Sequence, residues 1–368
     1  MKLLEKYGGI HMATTILGKT KNGKDLIAVE ISNKNGMRAK TLNLGANLME
    51  LFVPNHAGET TDVVLGFQNV NDYEGNESFY GCTVARNANR IGGVAFDLNG
   101  RHYTLENNDN GNNLHSGSGT LAKKIWEVKQ TKVNSVTFAY SSPDMDMGFP
   151  GAMEIEVTYE LTDTDALVIR YRGISNQDTV FNPTNHSYFN LDGQTGESAL
   201  DHYLTLDADY FTWANESSIP DGTIKSVKET PMDFTKAHTL GERIEKKYDQ
   251  LQFAGGYDHN FCLNQNQVAK EFSTATHPVF FAAKLENNKQ TRAMYVYTDT
   301  PGIQVYTGNY MNPDEIMKNG KHFVKRGAVA LETQYFPNAV NVESFRSPIL
   351  KAGENGESIT VYQFDFAE

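Results

Sequence analysis

The sequence predicts an all-β protein, a large antiparallel β-sandwich with few short helices. Three observations lead to this prediction: apolar and polar residues alternate with a period of two in many short segments, turn-forming clusters separate the segments, and helical periodicity is scarce. The clearest case is residues 153–161, where every odd-numbered residue is apolar and every even-numbered residue is polar. Many short strands of this kind, with turns between them, are typical of a sandwich or a barrel.

The strand pattern recurs along the whole chain. It is repeated by Val136, Phe138 and Tyr140 and, after a Thr-Asp-Thr-Asp turn, by Leu167, Ile169 and Tyr171. Clusters such as Asn-His-Ala-Gly, Asn-Gly and Glu-Asn-Gly mark the turns between strands. Further strands are expected at 40–43, 49–53, 280–285, 293–298, 303–307, 329–333 and 358–366.

Helical pattern is confined to two places. Leu240, Ile244 and Tyr248 recur every four residues, which predicts a short helix over 239–251. Asn312 followed by proline predicts one more helical turn over 313–318, with Asn312 as its N-cap. The sequence contains no internal repeat or linker. We therefore expect one sandwich domain over 13–368 after a lead-in segment at 1–12, with two packed β-domains as the alternative.

Composition and charge exclude several classes of function. The chain has 368 residues, 39% of them hydrophobic, and a net charge of −12, which argues against nucleic acid and anionic membranes as partners. No stretch approaches the ~20 apolar residues of a membrane span, and the first residues lack the apolar run of a signal peptide. With Cys82 and Cys262 expected as reduced thiols, the prediction is a cytoplasmic enzyme with a neutral small substrate.

Two residues in unusual surroundings point to proton transfer. His186 lies in a polar and aromatic run, and Glu332 interrupts an otherwise apolar strand, where a carboxylate needs a partner or a polar cavity to offset desolvation. A histidine that gives a proton and a carboxylate that takes one are the minimum for push–pull acid–base catalysis. Other polar clusters fall near strand ends or in loops, at 81–93, 112–117, 255–261 and 301–309.

Taken together, these clusters resemble one family. The motifs ANRI at 88–91, NHSYFNL at 185–191, YDHNF at 257–261 and LETQ at 331–334 occur in the order typical of the galactose mutarotase (aldose 1-epimerase) family. The resemblance covers the chain from about residue 25 to its end. It implies the galactose mutarotase-like supersandwich fold, the interconversion of α and β anomers of free aldohexoses such as galactose and glucose, and no metal or organic cofactor.

The resemblance also implies roles for individual residues. His186 corresponds to the general acid that protonates the ring oxygen, and Glu332 to the general base that takes the proton of the anomeric hydroxyl. Such a reaction suits a histidine that is an imidazolium near neutral pH and a glutamate whose pKa is raised by partial burial. The remaining matched positions hold sugar hydroxyls in the family: Asn89, Arg90, His115, Asp258 and Gln304.

Three departures from the family pattern put substrate preference in doubt. Ala85 stands where a glycine is usual, Ser116 replaces the first glycine of a His-Gly-Gly motif, and Asn338 replaces an aspartate. None of them is the expected acid or base. Arg86 and Arg90 are the only basic pair near the expected site, and a phosphate dianion needs such a cationic site.

Three other functions stay open on the sequence alone. The first is a hexose-6-phosphate 1-epimerase on the same fold. The second is a glycoside hydrolase with Asp258 and Glu332 as its two carboxylates. The third is a non-catalytic carbohydrate-binding protein, which would not need both His186 and Glu332. The sequence is compatible with a monomer or a homodimer.

Overall fold

Antiparallel strands make up most of the architecture. The computed structural model describes residues 5–7, 10–55, 57–273 and 277–365. In these ranges the first strands are β1 (Glu5–Tyr7), β2 (Ile10–Lys19), β3 (Asp25–Ser32), β4 (Arg38–Leu42), β5 (Asn47–Pro54), β6 (Thr60–Asp62), β7 (Thr83–Val84), β8 (Arg90–Ile91), β9 (Ala95–Leu98), β10 (Arg101–Thr104), β11 (Asn113–Leu114), β12 (Glu127–Lys132), β13 (Ser135–Ser142), β14 (Met153–Leu161) and β15 (Ala166–Ser175).

The second half of the chain continues in the same style. Its strands are β16 (Thr179–Val180), β17 (Thr184–Asn185), β18 (Tyr188–Phe189), β19 (Tyr203–Leu206), β20 (Tyr210–Ala214), β21 (Pro220–Ser226), β22 (His238–Thr239), β23 (Asp258–Cys262), β24 (Phe280–Glu286), β25 (Ala293–Thr298), β26 (Gly302–Tyr306), β27 (Val329–Gln334), β28 (Ile349–Leu350) and β29 (Asn355–Asp365). The helical elements within the described ranges are α1 (Asp249–Ala254) and four short 3-10 helices, Val70–Gly75, Gly92–Val94, Leu121–Lys123 and Asp146–Gly148.

Three large sheets carry the fold. The first is a meander in the order β1-β2-β3-β4-β5-β6, the second has the order β12-β13-β14-β15-β29-β25-β24-β19-β22, and the third has the order β18-β27-β26-β23-β20-β21. Four two-stranded ribbons, β9-β10, β8-β11, β16-β28 and β7-β17, fill the space between them. All the strand pairs named here are antiparallel, which confirms the predicted all-β class.

One apolar core joins the three large sheets. Its members include Val29 of β3, Val157 of β14 and Leu331 of β27, each fully buried. Burial of their apolar surface is the main favourable contribution to folding. Trp126 and Phe189 also lie in this core, so they pack inside the protein rather than against a ligand.

The predicted strands agree well with the observed ones. β14 has the predicted limits, and β4, β5, β13, β15, β24, β25, β26 and β27 lie within a few residues of prediction. The predicted strand at 358–366 corresponds to β29, although residue 366 lies outside the described residues. β2 begins at Ile10, so the predicted limit between residues 12 and 13 falls within a strand.

The prediction of a helix over 239–251 is wrong for most of its length. Leu240 and Ile244 are buried as expected, but the chain there forms turns, because the N–H groups of Glu242 and Lys246 each donate to a carbonyl three residues back. An α-helix needs bonds to the fourth residue back. The helix α1 begins only at Asp249.

The predicted helical turn over 313–318 is also wrong. Asn312 does accept a hydrogen bond from the backbone N–H of Asp314, at 3.0 Å, as an N-cap would. The chain then doubles back, because Ile316 forms an antiparallel bridge with His322. In the described part of the chain, no helix is long and apolar enough to cross a membrane.

Candidate active site

His186 is held in place by its backbone. Its N–H donates to the carbonyl of Cys82 at 2.9 Å, and its carbonyl accepts from the N–H of Gly81 at 3.0 Å. The preceding Asn185 adds a side-chain hydrogen bond to the carbonyl of Gly81 at 2.9 Å. Because both backbone groups of His186 are engaged, its imidazole projects from a fixed point beside the β7-β17 ribbon.

Glu332 faces the imidazole from the third sheet. It lies in β27, opposite Gln304 of β26, and its Oε1 is 3.5 Å from His186 Nε2. The two side chains are only 3% and 5% exposed. The sequence prediction that a histidine and a carboxylate meet at a cleft therefore matches this geometry.

The two-stranded β8-β11 ribbon brings two more of the predicted residues to the same pocket. Leu114 of β11 pairs with Arg90 of β8, which places His115 just beyond the end of the ribbon. The N–H of His115 donates to the carbonyl of Asn89 at 3.0 Å, and the N–H of Asn89 donates to His115 Nδ1 at 3.1 Å. Asn89 takes a left-handed conformation with φ of 57°, which asparagine tolerates better than most residues.

These hydrogen bonds fix the tautomer of His115. Its Nδ1 accepts a hydrogen bond from a backbone N–H, so the proton of the neutral ring must lie on Nε2. Burial, with smaller contributions from His186 and Arg90, holds the pKa of His115 well below its usual value. His115 is therefore a neutral hydrogen-bond donor toward the pocket.

Asp258 is held by an amide behind it. Gln304 Nε2 donates to Asp258 Oδ1 at 2.6 Å, and Asp258 Oδ2 lies 4.0 Å from Arg90 Nη1. Of the predicted site residues, Asn89, Arg90, His115, His186, Asp258 and Glu332 line the pocket. Gln304 is buried behind Asp258 and does not line the pocket; it affects the pocket through its hydrogen bond to Asp258.

Aromatic side chains complete the pocket, which has a volume of about 210 Å³. The rings of Phe79 and His186 are stacked with centroids 5.9 Å apart, the ring of Tyr188 lies 5.0 Å from that of His186, and Tyr306 also lines the wall. Tyr310, which is 71% exposed, lies at the mouth. The alternation of β26 predicts that Tyr306 shares a face with Gln304, but no sequence pattern singles out Phe79 or Tyr310.

Burial sets the protonation of the acid–base pair. It lowers the pKa of His186 to about 4, although a backbone hydrogen bond and Asp258 act in the opposite direction. It also raises the pKa of Glu332 well above its usual value, assisted by Asp258 and opposed by Arg90. Burial thus disfavours both the imidazolium of His186 and the carboxylate of Glu332, so the expectation of an imidazolium near neutral pH is wrong.

The three departures from the family pattern lie in the scaffold around the pocket. Ala85 packs into the main core. Ser116 has a φ of 68°, and its hydroxyl bonds to both the N–H and the carbonyl of Asn87, at 2.9 and 3.2 Å. Asn338 accepts from the N–H of Gly92 at 3.0 Å, a role that needs only a side-chain oxygen.

Arg86 and Arg90 have different surroundings. Arg86 is fully buried. Its guanidinium donates to Ser142 Oγ and to the carbonyls of Pro143 and Pro150 at 2.9 Å each, so it ties a loop to the core. Arg90 is partly exposed and donates from Nε to Asp109 at 2.6 Å. Burial opposes the charge of Arg90, but Asp258 and Asp109 outweigh it and raise its pKa.

The pocket contains one cluster with the composition of a metal site. Ligand atoms of His115, His186 and Glu332 lie within 4.8 Å of one another. A metal would need the lone pair of His115 Nε2, and that atom carries the ring proton because Nδ1 accepts from Asn89. The donor set therefore fits the hydroxyl groups of a neutral ligand better than a metal ion.

The fold and the pocket together define a β-sandwich enzyme with a site for a small polyhydroxylated molecule. Comparison with known proteins gives the family. The model of the aldose 1-epimerase family matches residues 28–363, and the chain belongs to that family.

Individual relatives cover nearly the full chain. The galactose mutarotase of Sus scrofa is 34% identical over 358 residues, which is 97% of this chain and all of the relative. The aldose 1-epimerase of Escherichia coli K12 is 31% identical over 93% of this chain and 96% of its own length. The crystal structure of galactose 1-epimerase from Lactobacillus acidophilus superposes with a TM-score of 0.83 at 26% identity, covering 98% of this chain and all of that one.

Proposed function

We propose that this enzyme interconverts the α and β anomers of free aldohexoses such as galactose and glucose. The observation that supports it most strongly is the approach of His186 Nε2 to Glu332 Oε1, at 3.5 Å, inside a pocket lined by hydrogen-bonding side chains. An aldose hemiacetal opens when one proton leaves the C1 hydroxyl and another reaches the ring oxygen. Two proton-transfer groups on one side of a small pocket meet that requirement.

His186 is the proposed general acid and Glu332 the proposed general base. Glu332 takes the proton of the C1 hydroxyl while His186 protonates the ring oxygen, and the C1–O5 bond breaks. The aldehyde rotates about C1–C2, and the C5 hydroxyl then adds to the other face of the carbonyl. The proton of that hydroxyl returns to His186 and the new C1 alkoxide takes one from Glu332, so no proton is gained or lost over the cycle.

The pair works with one shared proton. Before the sugar binds, this proton is proposed to lie on Glu332, because burial disfavours both the carboxylate and the imidazolium. Moving it to His186 makes an ion pair whose attraction at 3.5 Å is roughly 5 kcal/mol at an effective dielectric constant of about 20. The C1 hydroxyl and the ring oxygen of the bound sugar add hydrogen bonds to that ion pair, so sugar entry favours the reactive arrangement.

The other polar groups are proposed to hold the remaining hydroxyls. Arg90 and the Nε2–H of His115 donate, Asp258 accepts, and Asn89 lies beside them on the wall. Gln304 contributes by holding Asp258 rather than by touching the sugar. Phe79 and Tyr306 offer apolar ring surface to the C–H groups of the sugar.

Free sugars fit this pocket better than hexose 6-phosphates. A phosphate dianion needs several cationic donors. Among the described residues that line the pocket, Arg90 is the only cation, and Asp109 and Asp258 already face it. Arg86 is fully buried and committed to its own loop.

Polarimetry tests the proposed function. The enzyme should accelerate the change in optical rotation of freshly dissolved α-D-galactose or α-D-glucose. His186→Asn and Glu332→Gln should each lower kcat by roughly 10²–10⁴-fold, while His102→Asn, which changes an exposed histidine, should leave kcat unchanged. No acceleration with either sugar, or full activity in both pocket variants, would exclude the proposed function.

The same proposal covers organisation and location. From β2 onward the described residues form one domain, which is supported by the apolar core that the three large sheets share. Cys82 and Cys262 are free thiols, which is consistent with a reducing cytoplasm.

The net charge of −12 argues against nucleic acid and anionic membranes as partners. The chain acts as a monomer or a homodimer.

A further inference from the structure

Arg90 is flanked by two carboxylates, and only one of them was expected. Asp258 Oδ2 lies 4.0 Å from Nη1, and Asp109 Oδ2 lies 2.6 Å from Nε. Asp258 lines the pocket, whereas Asp109 contacts Arg90 from behind the wall. Asp109 can therefore act on a bound ligand only through the guanidinium.

A tight turn places Asp109 in this position. The backbone N–H and carbonyl of Asp109 both bond to Asn112, at 3.1 and 2.8 Å, which closes the turn. The turn leads directly into β11, whose Leu114 pairs with Arg90 of β8. The guanidinium is thus attached to β8 and the carboxylate to the turn that precedes its partner strand β11, so local structure holds the two groups together.

Contact at Nε fixes the orientation of the whole guanidinium. The group is planar, with five N–H donors in a rigid fork. Once Asp109 sets the direction of Nε–H, the directions of the Nη1 and Nη2 donors follow. The charge-assisted hydrogen bond to Asp109 is also among the stronger kinds, and both side chains are less than 20% exposed.

The second consequence concerns charge. Arg90 is the only cation among the described residues that line the pocket, and the carboxylate of Glu77 at its mouth is already paired with Lys123 at 2.7 Å. Two carboxylates around one guanidinium leave this part of the pocket with a net negative charge. Such a pocket accepts neutral hydroxyls and repels an anionic ligand.

We propose that Asp109 is a positioning and specificity residue: it aims the donors of Arg90 at a neutral sugar hydroxyl and cancels the guanidinium charge, so that anionic aldoses such as hexuronates are rejected. The proposal rests on the anomer-interconverting function proposed above. It assigns to Asp109 a role in choosing the substrate class, while proton transfer stays with His186 and Glu332.

Asp109→Asn is the direct test, because it keeps the size of the side chain and removes its charge. Anomer interconversion of galactose and galacturonate is followed by polarimetry, with the spontaneous rates subtracted. We expect kcat/KM for galactose to fall, mainly through a higher KM. We expect the ratio of kcat/KM for galacturonate to that for galactose to rise roughly tenfold, because one nearby negative charge has been removed.

Two further variants separate this role from a structural one. Asp97→Asn removes a carboxylate of the same chemistry whose side chain is 78% exposed and paired with His102, and it should leave the ratio unchanged. Arg90→Lys removes the Nε donor, so adding Asp109→Asn to it should change the galactose KM much less than in the wild-type background. A ratio in Asp109→Asn equal to that of Asp97→Asn, or an equal KM effect in both backgrounds, would overturn the proposal.

Direct binding keeps the two proposals distinguishable. Calorimetric titration of wild type and Asp109→Asn with galactose and with galacturonate measures selectivity without turnover. A wild-type enzyme that binds galactose but does not accelerate its anomer interconversion would exclude the proposed function only. A wild-type enzyme that is active, combined with unchanged binding selectivity in Asp109→Asn, would exclude only the role of Asp109.

Discussion

Acidification should leave the enzyme active far below the pH at which an ordinary histidine titrates. In the proposed mechanism, catalysis needs one proton on the pair formed by His186 and Glu332, with one group acting as acid and the other as base. The pair loses its base when it takes up a second proton, which happens as His186 charges. Burial lowers the pKa of His186 to about 4, so the acid limb of kcat/KM should lie near pH 4 instead of ~6.5.

The size of the shift follows from the burial of the imidazole. A pKa lowered from the ordinary value of 6.5 to about 4 corresponds to a penalty of roughly 3 kcal/mol against the imidazolium, in keeping with a side chain that is 5% exposed. Because the pKa of His186 is lowered, its ring stays neutral as the pH falls and becomes charged only near pH 4. On the alkaline side, activity is lost when Glu332 gives up its proton, and the raised pKa of this carboxyl moves that limb above its ordinary position.

The assay is kcat/KM for galactose as a function of pH, by polarimetry, with circular dichroism at each pH to confirm that the protein stays folded. His238→Asn is the matched control, because it removes a partly exposed histidine that is also paired with a glutamate, and it should leave the acid limb in place. An acid limb near pH 6.5 in a folded enzyme would refute the argument that burial governs His186.

Three other substitutions test the scaffold. Arg86→Met should lower the free energy of unfolding by about 3 kcal/mol or more in urea titrations, since a buried charge cluster loses its donor and leaves carbonyl groups unpaired; a loss below about 1 kcal/mol would contradict this. Gln304→Ala should raise the galactose KM, because Gln304 holds Asp258 in place. The effect should therefore largely disappear in an Asp258→Asn background. Additive effects of the two substitutions on KM would show that Gln304 acts independently. Ser116→Gly relieves a left-handed serine but removes two hydrogen bonds, so the melting temperature should change little and kcat not at all.

Most of the fold was predicted from the strand pattern, because a strand with one buried face must alternate apolar and polar residues. β14 alternates along its whole length, with its odd-numbered residues buried, and its limits were predicted correctly. The failure at 239–251 has a physical cause. Apolar residues spaced by four indicate burial on one side, but residues 238 and 239 pair as a strand with β19 and the chain after them forms turns closed three residues back, so tertiary context overrides local periodicity.

The site was predicted where its chemistry is unusual for the local sequence. A carboxylate in an apolar strand and a histidine in an aromatic run are both costly to bury, so Glu332 and His186 stand out without a structure. Phe79 and Asp109 do not stand out, because an aromatic residue and a turn aspartate are ordinary choices in a loop. Their roles depend on contacts with His186 and Arg90, which the sequence does not specify.

Arg86 and Arg90 show the limit of predicting a residue's role from the sequence alone. They stand four residues apart in one motif, and the sequence allowed both to serve as a cationic pair for a phosphate. Their surroundings decide otherwise: carbonyl groups surround Arg86, and carboxylates flank Arg90. The guanidinium of Arg86, bound by neutral carbonyls, keeps its charge but is buried away from any ligand. The guanidinium of Arg90 can contact a ligand, but the two carboxylates beside it cancel its charge. Neither arrangement attracts an anion, so the proposed preference for neutral sugars follows from the partners of the arginines and not from their number.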